Sequence, residues 1–340
     1  MERNELYYNL EKVDAHIHYN TDRPALLELA EEENFRLVSI NTDIYFFPSI
    51  QEQENIVFNQ RKTFGNRLDF IGTFSANGFN NADWLDITIN KIQSIIDKGA
   101  VSIKIWKNIG MELRGADGEL VMIDDKRIDP IFKYMASKGI NFTGHQGEPK
   151  NCWLPIDQMT IKQDTDYFTL HPEYHMYLHP DYPTYEEQII ARDNVLVNNP
   201  DLKFCGCHFA SLEWSVEEIA KRLDKFPNMM VDTAERTSHL QHRAVTEPEV
   251  IRDFVMKYQD RIIYGTDIID DNSMSDEELK RHQKAIWDRH WKYFTTSDMQ
   301  TSPKVSKPFK GLGLPMEVVE KIYVHNATRF YNLKKLDSKK

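Results

Sequence analysis

The sequence predicts an α/β fold, a (β/α)8 TIM barrel with long loops after strands 4, 5 and 8. Short apolar runs typical of buried strands recur eight times, with amphipathic stretches between them. This alternation is typical of a parallel sheet covered by helices, and eight repeats suit a closed barrel. An open doubly wound sheet is the alternative, but its usual glycine-rich first turn is absent from this sequence. No linker or repeat divides the chain, so we expect one domain over 1–340 with a core at about 12–332.

Each element is predicted from a local pattern. The strands are Lys12–His18, Phe35–Thr42, Leu68–Ser75, Val101–Trp106, Ile140–His145, Leu202–His208, Asn228–Asp232 and Arg261–Asp267. Helix ends are marked by proline in a first turn at Pro24 and by glycine after a last turn at Gly99 and Gly139. The helices are Pro24–Glu33, Ser49–Lys62, Ala82–Lys98, Ile128–Lys138, Tyr185–Asn198, Val216–Lys225 and Pro248–Tyr258.

Three long connections follow predicted strands. Residues 107–125 and 149–184 follow the fourth and fifth strands, on the face where barrel enzymes place their active sites. Residues 270–310 follow the eighth strand, with Met274–Tyr293 predicted as a charged helix and the remainder as polar loop. Long loops on this face predict pocket walls or a lid.

The charge balance excludes several classes of partner. The chain carries 42 Lys and Arg against 53 Asp and Glu, a formal net charge of −11. It therefore lacks the basic face that binds nucleic acid or an anionic membrane surface, and we expect neither partner. A small-molecule substrate is the expected partner, and a homo-oligomer stays open.

Three further features bear on the compartment. Cys152, Cys205 and Cys207 are too few for a disulfide framework and suit a reducing environment. No run approaches the roughly 20 apolar residues of a spanning helix, and the first residues, Met1–Glu5, show no export signal. A cytoplasmic location is the default expectation, and a signal trimmed from the chain stays open.

Histidines end the first predicted strand. Side chains alternate across a strand, so His16 and His18 point to the same side, with their Cα atoms roughly 6.6 Å apart along it. Two imidazoles at this spacing can bind one Zn²⁺. Taken alone, this spacing is equally typical of two histidines on a protein surface that bind no metal.

Three other apolar strands also end on ionisable residues, namely His145, His208 and Asp267. Buried ionisable groups are costly unless they bind a metal or pair with each other. Because the carboxyl ends of parallel barrel strands meet at one face, these side chains are expected to converge. Histidines with a carboxylate suit one divalent ion, with Zn²⁺ favoured and Mn²⁺ or Fe²⁺ as alternatives.

A set of short motifs makes the sequence recognisable. They are Val13-Asp-Ala-His-Ile-His18, Thr143-Gly-His-Gln-Gly-Glu-Pro149, Gly206-Cys-His208, Tyr264-Gly-Thr-Asp267 and Ile322-Tyr-Val-His-Asn-Ala-Thr-Arg-Phe330. Together they resemble the metal-dependent amidohydrolase superfamily, in the branch of aminocarboxymuconate-semialdehyde decarboxylase and the pyrone-dicarboxylate and sugar-acid lactonases. The resemblance spans residues 12 to about 332.

By position, the resemblance implies a single metal ion held by His16, His18, His145 and Asp267. It implies that His208 is a nearby acid or base, or a further ligand. The branch contains hydrolases, lactonases and non-oxidative decarboxylases, so the resemblance leaves the reaction open.

The sequence allows three interpretations of Lys104. In the fourth strand, Ser102, Lys104 and Trp106 share a face, which is the barrel interior if the strand is in register. A buried lysine needs an anion, so Lys104 either binds an anionic substrate or is carboxylated and bridges two metal ions. The third reading is a structural ion pair with Asp14 or Asp232. We favour substrate binding, since the resembling branch is mononuclear.

Other residues are weaker candidates. Glu148, Trp106, Trp153 and Arg236 are candidates for substrate binding, with surface ion pairs or loop packing as the alternative. Cys205 and Cys207 are expected to face outward as core residues. The spacing of His171, His175 and His179 is helical, but adjacent prolines make a regular helix doubtful, so these histidines are assigned to a lid or surface.

Metal-assisted hydrolysis of a small acidic lactone, or of an amide, is the expected reaction. Asp267 would move the proton, His208 would relay protons or stabilise negative charge, and Lys104 would orient the substrate. A non-oxidative decarboxylase is the alternative, and a non-catalytic barrel that binds a sugar acid or a metal is the second alternative.

Overall fold

A computed structural model describes residues 5–336 of the chain. The two ends of the predicted domain and most of the segment considered for an export signal lie outside these described residues. The predicted (β/α)8 barrel is confirmed. Its parallel strands are β1 (Lys12–Tyr19), β2 (Phe35–Ile40), β3 (Leu68–Thr73), β4 (Ile103–Ile105), β5 (Phe142–Gly144), β6 (Phe204–Gly206), β7 (Met229–Asp232), β8 (Ile262–Ile263) and β9 (Ile268–Asp270).

The barrel closes through a broken eighth strand. β8 pairs with β7, whereas β9 pairs with β1, so the sheet runs in the order β8-β7-β6-β5-β4-β3-β2-β1-β9. Between the two segments, the Ala15 amide donates to the Tyr264 carbonyl at 3.0 Å, and the Asp267 amide donates to the His16 carbonyl at 2.7 Å. The continuous strand predicted over Arg261–Asp267 is therefore wrong at its end, because Asp267 has a positive φ of 67°.

Helices cover the outside of the barrel. The α-helices are Glu5–Asn9, Ala25–Glu32, Ile50–Phe64, Trp84–Asp97, Asp129–Lys138, Lys162–Leu170, Tyr185–Asn198, Val216–Lys225, Thr237–Arg243, Pro248–Lys257, Asp276–Thr295, Met316–Glu320 and Asn326–Phe330. Short helical turns, π and 3-10 segments lie at Asn108–Met111, Cys207–Ala210, Lys321–His325, Gly65–Arg67, Lys150–Trp153, Ile156–Gln158, Pro172–Tyr174 and Met176–Leu178. Ser49 and Thr184 each form a capping box, and Gly139 closes its helix in the left-handed conformation.

The segment after the eighth strand differs from its prediction. The charged helix is present as Asp276–Thr295, but an antiparallel hairpin follows it, β10 (Met299–Ser302) with β11 (Val305–Lys310). The polar-loop prediction for this part is wrong. In β11 only Val305 and Phe309 are buried, so the apolar signal of the hairpin is too sparse to be read from sequence.

Two layers of apolar side chains stabilise the barrel. The larger cluster lies between strands and helices, and a smaller one fills the barrel interior with side chains including Val13, Val38, Ile71 and Met230. Tyr331 belongs to the interior cluster and closes the barrel at the amino ends of the strands. No helix within the described part of the chain has the length and apolar character needed to cross a membrane.

Candidate metal centre

A β-bulge in β1 sets the direction in which the side chains of His16 and His18 point. Asp14 pairs with Leu37 of β2 and Ile17 pairs with Ser39, so β1 holds one more residue than β2 over this interval. The bulge shifts the alternation of side chains. Asp14 therefore faces outward, where the Thr266 hydroxyl and the Trp287 indole donate to its carboxylate at 2.7 and 2.9 Å.

His16, His18 and Asp267 meet at the carboxyl ends of the strands. The Nε2 atoms of His16 and His18 lie 3.1 and 3.3 Å from the same Asp267 oxygen, Oδ1. One ligand atom from each residue lies within 4.8 Å of the others. This is the donor set of a divalent metal ion, two imidazoles and a carboxylate.

The opposite ring nitrogens show which atoms are free to bind a metal. His16 Nδ1 lies 2.8 Å from Asp232 Oδ2, and His18 Nδ1 lies 2.8 Å from the Ile40 carbonyl. These acceptors hold a proton on each Nδ1 and direct the Nε2 atom towards Asp267. Nε2 of His16 is buried without a hydrogen-bond partner. Lone pairs facing a carboxylate repel it unless a cation lies among them, so these residues fit a metal ion.

Burial and neighbouring charged groups set the pKa values of the side chains in the centre. Burial would raise the pKa of Asp267, but the neighbouring His16 and His18 side chains hold it well below its usual range. Burial lowers the pKa of His16, yet Asp232 and Asp267 together raise it well above its usual value. The His16 ring therefore lies between two carboxylates that favour a positive charge on it, 2.8 Å from Asp232 and 3.1 Å from Asp267.

His145 and His208 lie beside this group. Their ring centroids are 4.4 Å apart, and the His208 ring lies 4.9 Å from that of His16. Burial lowers the pKa of both, that of His208 to about 3, so both imidazoles are neutral. Nε2 of His145 has no hydrogen-bond partner and lies 3.5 Å from a Glu148 oxygen. Of the four predicted ligands, the structure groups three and places His145 at their edge.

A left-handed turn places His208. From His208 to Ser211, four successive residues have φ values of 59°, 54°, 57° and 55°. The turn packs against Gly206, where a Cβ atom would lie 2.4 Å from that of Ala210, so glycine is required. The backbone amide of His208 donates to Asp232 Oδ1 at 2.7 Å, and Nδ1 of its ring lies 2.9 Å from the Ala234 carbonyl.

The predicted outward orientation of Cys205 and Cys207 is wrong. Cys205 belongs to the interior cluster, and Cys207 is grouped with His16 and Asp232. The prediction assumed that alternation continues to His208. Because the backbone turns left-handed there, cysteine and histidine reach the same side.

Lys104 points into the barrel, as predicted, and its ammonium donates to the Cys207 sulfur at 3.0 Å. The predicted ion pair with Asp14 or Asp232 is wrong. Asp14 faces the outer helix, and the oxygens of Asp232 accept from His16 and His208. Binding of an anionic substrate by Lys104, and its carboxylation to bridge two metal ions, stay predictions.

The predicted substrate residues lie in different surroundings. Glu148 forms an ion pair with Lys107, whose ammonium lies 5.3 Å from the centre of the Trp106 ring. Arg236 is 8% exposed, and its Nε atom has no hydrogen-bond partner. Trp153 is held within the loops instead, where its indole donates to the Pro183 carbonyl at 3.2 Å.

The loops after β2 and β5 meet close to the histidines. The hydroxyls of Tyr45 and Tyr174 share a hydrogen bond, and the Phe47 ring lies 5.0 Å from that of His18. As expected, no regular helix carries His171, His175 and His179. Of the two alternatives predicted for these histidines, lid or surface, the surface does not hold for His175, which is only 3% exposed and lies 2.8 Å from the Leu154 carbonyl within the loop after β5.

Sequence reasoning missed two residues of this region. Asp232 ends an apolar strand, the same signal that identified the histidines, but it was weighed only as a partner of Lys104. Lys107 lies two residues after the end of β4 with its side chain 15% exposed, and burial lowers the pKa of its ammonium to about 8. No pattern in the sequence marks that burial.

Comparison of the sequence with known proteins gives one family match. The sequence profile of amidohydrolases matches residues 92–333. No curated protein matches the chain.

Solved structures share the fold at low sequence identity. An uncharacterised TIM-barrel protein from Bordetella bronchiseptica is 15% identical, with a TM-score of 0.53 over 95% of this chain and 99% of that one. The 2,6-dihydroxybenzoate decarboxylase of Rhizobium is 14% identical, with a TM-score of 0.53 over 95% and 99%. The dihydroorotase of Campylobacter jejuni is 11% identical, with a TM-score of 0.52 over 96% and 85%. At such identities the similarity shows the barrel alone.

Proposed function

The chain belongs to the amidohydrolase family, and from this premise we propose that it hydrolyses a small acidic lactone or amide with the help of one divalent metal ion. The observation that carries the proposal is the convergence of His16, His18 and Asp267 within 4.8 Å. An ion bound there, with Zn²⁺ favoured, would supply Lewis acidity and lower the pKa of water.

Asp267 and His208 are the two residues of the centre that can transfer protons. Asp267, ionised and held between His16 and His18, can accept a proton from water and return it to the leaving group. His208 donates through Nδ1 to the Ala234 carbonyl, which leaves Nε2 as a proton acceptor. The two residues therefore provide a carboxylate and a neutral imidazole side by side.

Cations around the centre support an acidic substrate. Arg236 is close enough to lower the pKa of His208, although burial is the main cause of that shift. Its guanidinium is buried with Nε unpartnered, which suits bidentate binding of a carboxylate. Lys104 donates one hydrogen bond to Cys207 and keeps further N–H groups for an anion.

Metal analysis and a substrate panel test the proposal. We expect about one divalent ion per chain and release of acid from lactones or amides bearing a carboxylate. His16→Ala should lose both the ion and turnover. His171→Ala is the matched control, since its side chain is 44% exposed, and it should retain both.

Other outcomes would point elsewhere. Release of carbon dioxide without release of acid would identify a decarboxylase on the same residues. Tight binding of a sugar acid without turnover would indicate a binding barrel. Wild-type protein that turns over without any metal would contradict the proposal.

A further inference from the structure

A second cleft opens beside the metal centre. It has a volume of about 460 Å³ and lies between the loops after β5, β6 and β7 and the hairpin strand β11. None of the histidines of the metal centre lines it, nor does Asp267. Its volume is typical of a site for a small ligand.

The cleft is basic in an acidic protein. Lys150, Arg243, Lys307 and two histidines line it with one acidic residue, Glu213, although the chain has a net charge of −11 with histidine counted as neutral. The guanidinium of Arg243 is occupied, because it donates to both oxygens of Glu217 at 2.6 and 2.7 Å. Lys150 and Lys307 of β11 are the cations best placed for an anion. The Lys150 ammonium lies 4.0 Å from the centre of the Trp214 ring and 3.8 Å from an oxygen of Glu186, whose side chain is 67% exposed.

Two buried polar atoms in the cleft lack hydrogen-bond partners. Glu213 is 4% exposed and its Oε2 has none, while its Oε1 accepts from the Lys150 amide at 3.0 Å. His239 is 6% exposed, and its Nε2 has none. The nearest charged partner of that nitrogen is Asp164 Oδ2, at 3.4 Å. Unsatisfied buried polar atoms are costly, so this pair points to a ligand that completes their hydrogen bonds.

We propose that this cleft binds a small organic anion that also carries hydroxyl groups, such as a sugar acid or a sugar phosphate. The anionic group lies at Lys150 and Lys307, and hydroxyl groups reach Glu213 Oε2 and His239 Nε2. The site is separate from the metal centre and does not depend on the reaction proposed above.

Calorimetric titration of the metal-loaded protein tests this site. The probes are D-gluconate and D-glucose 6-phosphate, with D-glucose and inorganic phosphate as the two incomplete controls. We expect at least one complete probe to bind about tenfold tighter than either control, since each control lacks one half of the contacts. The stronger of the two complete probes identifies the carboxylate or phosphate source. Equal binding of all four, or of none, would overturn the proposal.

Variants locate the binding. Lys307→Gln should weaken binding of the stronger probe about tenfold. Lys310→Gln, on the same exposed strand but outside the cleft, should leave it unchanged. His16→Ala, which removes a metal ligand, should also leave it unchanged. Loss of binding in His16→Ala, or equal effects of the two lysine variants, would show that the cleft is not the site.

Discussion

Asp232 connects the two histidines of the candidate centre. One of its oxygens accepts from His16 Nδ1 and the other from the backbone amide of His208. It therefore holds the tautomer of one imidazole and the position of the other.

Asp232→Asn should weaken metal binding while preserving the fold. The amide matches the carboxylate in size but not in charge, and loss of such a partner typically costs about 10–100-fold in metal affinity. Competition with a chelating dye measures the change. Asp14→Asn is the control, because Asp14 is also a buried carboxylate on a barrel strand but accepts from the Trp287 indole on the outer side of the barrel. Equal metal affinity in wild type and Asp232→Asn would contradict the role given to Asp232.

Lys107, the ion-pair partner of the candidate substrate residue Glu148, predicts an alkaline limit to the binding of an anionic substrate. Burial lowers the pKa of its ammonium to about 8. A lowered lysine pKa means that the charge is present below pH 8 and is lost as pH rises through that value. We expect KM for an anionic substrate to rise above about pH 8. In Lys107→Arg the guanidinium stays charged, so KM should stay flat. Identical pH profiles for the two proteins would exclude this role.

The residues at the strand ends could be predicted because ionisable groups stand out after apolar runs. That reasoning identified His16, His18 and Asp267, which the structure brings together. It failed for the cysteines and for the partner of Lys104. The failure for the cysteines depends on the backbone at His208, where φ turns positive without a glycine to signal it. The failure for Lys104 depends on the bulge in β1, which turns Asp14 outward, and on Asp232, which accepts from His16 and His208 instead.

At the scale of elements, the helix Asp276–Thr295 supports the first strand from outside. Its Gln283 and Trp287 donate to the buried Asp14 carboxylate at 3.3 and 2.9 Å. Ser275 begins the helix with a capping box, in which its hydroxyl accepts from the Glu278 amide at 3.3 Å.

Ser275→Ala should destabilise the protein by about 1 kcal/mol, the usual cost of losing a capping side chain. Urea unfolding measures the difference in free energy of unfolding. Ser273→Ala, two residues earlier and outside the capping box, should change it by less than about 0.5 kcal/mol. If the two variants are equally stable, the cap does not stabilise the fold.

Most elements could be predicted from periodicity, and Tyr185–Asn198 and Val216–Lys225 have the predicted bounds. The hairpin Met299–Lys310 could not, because its buried residues are too few to form a pattern. The break in the eighth strand was also missed, since the predicted strand Arg261–Asp267 ends before β9 begins at Ile268. The separation of β8 and β9 depends on pairing with different neighbours, β7 and β1, which are distant in sequence.

For the whole molecule, the barrel and its loops shield every thiol. Cys152, Cys205 and Cys207 are all free and buried, and burial raises the pKa of Cys152 to about 12. The barrel itself was predictable, because alternation of strand and helix is repeated along the chain. The covering of Cys152 by the loop after β5 was not, since it depends on packing with Met111, Phe168 and Met176.

A thiol-reactive dye should therefore distinguish folded from unfolded chain. We expect no reaction of the native protein within minutes, because the thiolate is the reactive form and burial disfavours it. All three thiols should react in denaturant. Cys152→Ser provides the control and should lower the denatured count by one. Rapid labelling of the native protein would show that the loops open readily.

The left-handed turn at His208–Ser211 limits which substitutions can stabilise this protein without affecting its activity. Each non-glycine residue in that conformation costs about 1–2 kcal/mol, so the four together cost a sizeable share of the roughly 5–15 kcal/mol that keeps a typical domain folded. Selection for heat resistance would therefore favour glycine at Ala210, which relieves strain and removes only a methyl group, and not at Phe209, whose ring is fully buried in the core. Glycine at Ala210 would also loosen His208. Adaptation to heat and retention of activity thus compete at this turn.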